Sequence, residues 1–231
     1  MNKFMSLEHA LNLLNSKSIW FSSPEMWHDP YEKKFIDAFY DSTDRFAWKG
    51  RVFCSCFTDN ATSEASWNAY SNNPDCIQFT FHRKALFNVL EACQNDNPKN
   101  KVYFDKVEYM QTKDIESPLS KIPFDPKVSD KVRIKSTEIK VRLLMLKRKA
   151  FEYEKEYRAI IVKPKITKEH GIKVSIPDIH ALIAKITIGP KVEEDTFKML
   201  KEMLIDKYYF NSNDIRQSFL YKSLPKVIMI K

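Results

Sequence analysis

The sequence predicts an α+β fold in a single domain spanning residues 1–231. Short β-branched and aromatic runs closed by proline or polar clusters recur along the whole chain. Amphipathic helical patterns lie between them, with no internal repeat, low-complexity tract or linker. At 231 residues, 43% hydrophobic and 29% charged, the chain can bury a core without staples. Glycine is the third observation. There are three, Gly50, Gly171 and Gly189, too scattered to build GxGxxG or a P-loop. Both loops need clustered glycines for close backbone approach to phosphate. That argues against a Rossmann dehydrogenase, a P-loop NTPase and a protein kinase.

The elements follow in order. Ser6 can cap a helix over 6–15, with Leu7, Ala10, Leu11 and Leu14 on one stripe. Ser18 to Ser22 reads as a strand closed by Ser23-Pro24, and 25–32 as a turn-rich loop with Trp27, Asp29, Tyr31 and Glu32. Arg51 to Thr58 is a strand on which Val52, Cys54 and Cys56 oppose Phe53, Ser55 and Phe57. Thr62 or Ser63 starts a helix through Tyr70, with Trp67 and Tyr70 on one face. Strand 76–81, helix 83–93 and strand 102–109 come next. Residues 111–130, with Pro118, Pro123 and Pro126, suit a mobile loop. A helix is expected over 131–149. Strands are expected at 173–176, 185–188, 215–221 and 227–230, with a helical turn at 179–184 and an amphipathic helix at 193–208.

No apolar run approaches the roughly 20 residues of a membrane span, and 1–4 lack a secretory pattern. Four cysteines without a framework spacing suggest reduced thiols and a cytoplasmic setting. The net charge of +8 permits attraction to nucleic acid. The densest basic run, 140–149, reads either as a solvated helix face or as phosphate contacts through Lys147 and Lys149. No histidine or cysteine spacing makes a metal site.

The chain is organised around Phe151-Glu152-Tyr153-Glu154-Lys155-Glu156-Tyr157-Arg158, which runs into Ala159-Ile160-Ile161-Val162. With a strand beginning near Tyr153, Glu154, Glu156 and Arg158 share one face. Two carboxylates and a guanidinium on a strand that turns apolar must face solvent, pair internally or line a site. Asp29 and Tyr31 either edge a pocket or set a turn. Trp67 and Tyr70 are either core or a clamp, and Ser55 either faces a ligand or bonds locally.

Four motifs in order resemble a bacterial family catalogued as domain of unknown function 2971. They are Asp29-Pro30-Tyr31-Glu32 after a short strand and Ser-Pro; Cys54-Ser55-Cys56-Phe57-Thr58 with Trp67-Asn68-Ala69-Tyr70; the Phe151 to Arg158 stretch; and Ile188-Gly189-Pro190. Phe151 stands where the family commonly has Trp. The layout also resembles, more distantly, ADP-ribosyltransferases, which bind NAD without a glycine loop. That resemblance implies split β-sheets with flanking helices and NAD as substrate. It implies Glu156 as the catalytic carboxylate, Glu154 as its accessory, and Tyr70 or Trp67 stacking on nicotinamide. Ser55, Asp29, Tyr31 and Arg158 are then candidates around the cofactor, Arg158 by orienting a carboxylate. The superfamily places His or Arg on its first strand to hold ribose; Lys3 and His9 are the available residues, neither aligning securely. A nucleic acid or protein would be the acceptor, with a defence or toxin role implied. Two other readings stand beside this one: a non-catalytic module binding nucleic acid or protein, and a metal-dependent hydrolase of nucleotides or nucleic acid.

Overall fold

The computed structural model describes residues 1–27, 29, 31–32, 50–60, 63–70, 75–114, 138 and 141–221. The expected strand at 227–230, and most of the expected mobile loop at 111–130, lie outside the described residues.

Strand β1 (Asn2–Ser6) leads directly into α1 (Leu7–Ser16). The Ser6 hydroxyl accepts from the His9 amide at 3.3 Å, the N-cap bond that the sequence suggested. Ala10, Leu13 and Leu14 are buried, and Lys17 closes the helix in the left-handed conformation at φ 44°. Then come β2 (Ser18–Ser22), a 3-10 turn at Pro24–Met26, β3 (Val52–Thr58), α2 (Glu64–Tyr70), β4 (Cys76–Phe81) and α3 (Arg83–Asp96). Next are β5 (Lys101–Lys106), β6 (Glu108–Met110), β7 (Leu146–Arg148), a 3-10 turn at Lys149–Glu154 and β8 (Glu156–Val162). The described chain continues with β9 (Gly171–Ser175), α4 (Ile179–Leu182), β10 (Ile183–Ile188), α5 (Glu194–Asp206) and β11 (Ile215–Gln217).

Among the described residues nine strands bond into one mixed sheet, which forks at β3. One edge of β3 pairs with β8 throughout, from Val52↔Val162 to Thr58↔Glu156, and β5 lies beyond β8. The other edge is shared: β2 attaches at Cys54 and β1 at Thr58. Between these attachments the Lys3 ammonium donates to the Cys56 carbonyl at 2.8 Å. One arm continues β1–β4–β10–β11, the other β2–β9. The fold is therefore mixed α/β, dominated by a single sheet with several helices.

The alternation read for β3 appears in the packing. Phe53 and Phe57 enter the main core with Phe21, Phe79, Phe81, Ala159 and Ile161. Val52 and Cys54 face a smaller cluster with Ile160, Leu144 and Leu146. Strand β8 thus has a core on each face, which is why its second half is apolar on both.

Four element expectations are corrected. β1 falls where none was expected. The 102–109 strand breaks at Val107 into β5 and β6. The helix expected over 131–149 stops at residue 144 and the chain re-enters as β7, a two-stranded parallel ribbon with β6. The organising strand starts at Glu156, not Tyr153, because the preceding 3-10 turn ends at Lys155 in the left-handed conformation, φ 43°.

Candidate functional site

Charge cannot be left alone in a low-dielectric interior, so a buried carboxylate needs a partner nearby. Glu156 has the first of its two partners, Arg158, two residues along its own strand. Arg158 Nε donates to Glu156 Oε1 at 2.7 Å, and Arg158 Nη2 to its Oε2 at 3.2 Å. Both residues are 1% exposed. Arg158 Nη1 donates to the Leu144 carbonyl at 2.6 Å, and Nη2 also donates to the Glu32 carboxylate. The guanidinium carbon sits 4.3 Å from the Trp27 ring, so one cation is held by two carboxylates, a carbonyl and an indole face.

The second partner is Lys147. In the β6–β7 ribbon it lies in register with Tyr109, and both side chains reach the start of β8. Lys147 Nζ donates to Glu154 Oε2 at 2.5 Å and to Glu156 Oε2 at 2.8 Å. The Tyr109 hydroxyl accepts from the Glu156 amide at 2.8 Å. Thr58 holds the turn from below, its hydroxyl donating to the Glu154 carbonyl at 2.6 Å. Glu154 therefore joins the centre from the 3-10 turn, not by strand alternation.

An outer pair closes this side. Arg148 donates to both Asp29 oxygens, at 3.1 and 3.3 Å, with its guanidinium carbon 4.6 Å from the Tyr31 ring and 5.1 Å from Phe151. Asp29 also accepts from the Tyr31 amide at 2.9 Å. The turn reading of Asp29 holds, and the same carboxylate also pairs with Arg148.

The two central carboxylates are pushed apart in acidity. Burial pulls Glu156 upward, but the charge and hydrogen bonds of Arg158, with Lys147 and the Cys56 thiol, outweigh it and hold the carboxyl far below its ordinary value. Burial also pulls Glu154 upward; Lys147 opposes it without cancelling it, and that carboxyl stays above its ordinary value. Lys147 remains charged because Glu156 and Glu32 outweigh its own burial. Its closest oxygen belongs to Glu154, yet Glu156 is its stronger electrostatic partner. Burial pushes the Tyr109 phenol up to about 12. A pair of acids separated in this way can divide proton-holding from charge-stabilising work.

Of the residues singled out in the sequence, Glu156, Glu154, Arg158, Asp29 and Tyr31 come together here. Ser55 does not join them: it lies on the opposite face of β3, and its hydroxyl accepts from Lys3 at 2.8 Å. Trp67 packs edge-on against Phe4 at 4.9 Å, in a small cluster with Cys76. The indole at this centre is that of Trp27, against the Arg158 guanidinium. The Tyr70 side chain lies outside the described residues. Lys147, read either as part of a solvated basic face or as a phosphate contact, is buried; Lys149 is exposed. Sequence reasoning gave Tyr109 no role, named Trp27 only as a loop residue, and did not pair Lys147 with the glutamates. A signal for Lys147 existed: two glutamates share one arginine in the stretch, so a second cation was owed.

Lys3 is the further unassigned cation. It comes from β1, donates to Ser55 Oγ and the Cys56 carbonyl, and lies over the Phe57 ring at 4.8 Å. Burial lowers its pKa, opposed by Cys56 and Glu156. The cysteines are all free, and burial pushes the thiols of Cys54 and Cys56 upward. Among the described residues no group of three or more His, Cys, Asp or Glu is placed to hold a metal ion, and no helix is long and apolar enough to cross a membrane.

No curated protein and no solved structure matches the chain. Residues 66–159 match a family model described as a protein of unknown function (DUF2971). That span opens on α2 with Trp67 and ends within β8, so it takes in Lys147, Glu154, Glu156 and Arg158 but not Asp29 or Glu32. Over that span the match supports the likeness to the DUF2971 family suggested by the motifs around Trp67 and Glu156.

Proposed function

We propose that the chain is an ADP-ribosyltransferase-like enzyme that cleaves the nicotinamide–ribose bond of NAD and transfers ADP-ribose to a macromolecule. The observation that carries the reading is Glu156, kept ionised by Arg158 and Lys147 on a central strand with Glu154 beside it. As nicotinamide leaves with the bonding electrons, positive charge grows on the ribose. A fixed carboxylate aimed at that charge lowers the barrier without reorganising. Glu154, less acidic, is suited to take the proton that the acceptor gives up as it bonds the sugar. Arg158 and Trp27 orient Glu156.

The test is nicotinamide release from NAD by the purified chain, with RNA, DNA and protein offered as acceptors. Release by the wild type, with loss of about a hundredfold or more in Glu156→Gln, supports the assignment. No release, or equal release by Glu156→Gln at unchanged melting temperature, refutes it.

A second reading is favoured by the saturation of Arg158, whose three donating nitrogens all meet protein acceptors. Such a centre also serves as a structural pin in a non-catalytic module that binds nucleic acid or protein. That reading expects binding of a macromolecule by wild type and Glu156→Gln alike, with no NAD consumption.

A further inference from the structure

Side chains alternate across β8, so the strand that holds Glu156 and Arg158 on one face presents Tyr157 on the other. The partly exposed Tyr157 ring stacks on Phe104 of β5, centroids 5.8 Å apart and planes at 23°. Phe104 meets Phe87 of α3 edge-on at 5.2 Å, and Phe87 is 45% exposed. One helical turn before Phe87, Arg83 places its guanidinium carbon 5.4 Å from the Tyr157 ring. Phe57 supports the row from below, 5.9 Å from Phe104. Three rings thus run continuously from the sheet onto a helix.

The rim of this row is basic. Lys106 is exposed and stands opposite Tyr157 in the β5–β8 register. Lys84 adjoins Arg83 at the start of α3, and Lys155 lies just before β8; both are exposed. Against these four cations stand Asp59, paired with Arg83 at 3.1 Å, and the exposed Glu91. The local excess has the sign of the chain's net charge of +8. An aromatic row anchored on the core at Phe104 and Tyr157 and opening to solvent at the half-exposed Phe87 is poorly hydrated there and rarely left bare. Cations around it select a partner that carries both flat apolar rings and negative charge. Single-stranded nucleic acid has both at regular spacing, and its bases stack on such rings with little regard to sequence. A duplex hides those base faces.

From this we infer that the Tyr157–Phe104–Phe87 face is a binding site for single-stranded nucleic acid, its bases stacking on the rings and its phosphates meeting Arg83, Lys84 and Lys106. The site lies across the strand from the Glu156 centre and does not depend on NAD chemistry.

The test is fluorescence anisotropy of the full chain with labelled oligo-dT and oligo-U of about 15 nucleotides, at low and moderate salt, beside a duplex of equal length. The expected result is binding of one or both single strands that weakens as salt rises, with the duplex held more weakly. Phe87→Ala weakens binding about tenfold. Lys106→Ala reduces the slope of log affinity against log salt by about 0.7, whereas Lys198→Ala, an exposed charge removed from α5, leaves affinity near wild type. Phe87 and Lys106 are exposed, so both variants fold, which their melting temperatures verify. No binding of either single strand at low salt overturns the proposal. So does unchanged affinity in Phe87→Ala, or a duplex bound as tightly as the single strands. None of these readings follows from nicotinamide release, so either proposal can fail alone.

Discussion

Lys147 Nζ lies 2.8 Å from the carboxylate of Glu156, both side chains all but withdrawn from solvent. Each therefore depends on the other. Removing one partner of a buried pair leaves a charge that water cannot reach. Lys147→Ala should cost about 3–5 kcal/mol of stability, read from denaturant midpoints. Lys147→Met, which refills the stem's volume, should cost less. A loss under about 1 kcal/mol in the alanine variant would show that the pair is not the anchor described here.

Acidity offers a second check, because the two glutamates shift in opposite directions. Glu156 sits below the ordinary 4.5. Its contribution is complete above that value and is lost as pH falls through its depressed folded-state value. Glu154 sits above 4.5. Its ionised form costs stability above its folded-state value, and acidification removes that cost. Between pH 7 and about 5 stability should hold level or rise, then fall steeply below about pH 4. In Glu154→Gln the mildly acid rise should vanish while the fall remains. A steady decline from neutrality in both proteins would contradict the assignment.

Gly171 tests the edge formed by β2 and β9. A Cβ there would run into the Trp20 indole and stand 2.7 Å from the Phe21 carbonyl oxygen. Gly171→Ala should destabilise by about 1–3 kcal/mol. Trp20 is half exposed and can swing away, but the Phe21 backbone cannot. Adding Trp20→Ala should restore only part of the loss, and full restoration would place the clash at the indole alone.

Lys155 links the 3-10 turn to β8 at φ 43°, a conformation disfavoured for side chains with a Cβ. Its amide donates to the Glu152 carbonyl, and its own carbonyl accepts from Asp59. Lys155→Gly should be at least as stable as wild type, whereas Lys155→Val should lose about 1–2 kcal/mol. Equal melting temperatures for the two would mean that the turn relaxes to another geometry.

Much of the scaffold could be read from the chain because its signals are local. Ser6 as a cap, the alternation of Phe53 and Phe57 against Val52 and Cys54, and the apolar stripe of α5 each depend on neighbours in sequence. The convergence of Glu156 and Arg158 on one face of β8 could be read for the same reason, whereas Glu154 arrives from the 3-10 turn and not by the alternation expected. The glutamates called for a second cation but did not say which: the basic run 140–149 has the composition of a solvated helix face, and the pairing of Lys147 with Tyr109 of β6 is what turns that lysine inward. β1 escaped because Asn2 and Lys3 are polar, and the Lys3 ammonium is drawn in by Ser55, Cys56 and Phe57, more than fifty residues away. The wrong start for β8 came from Lys155, a residue type that seldom takes a left-handed turn.

The order in which a ribosome delivers this chain has a consequence for the centre. β3 emerges early, but its full-length neighbour β8 comes about a hundred residues later, and the Arg158–Glu32 contact joins positions 126 apart. During that interval Glu32 lacks its guanidinium partner and one edge of β3 lacks its mate. A chain stalled before residue 156 would display the apolar residues of β3 along an open edge, the condition that invites pairing with another nascent chain.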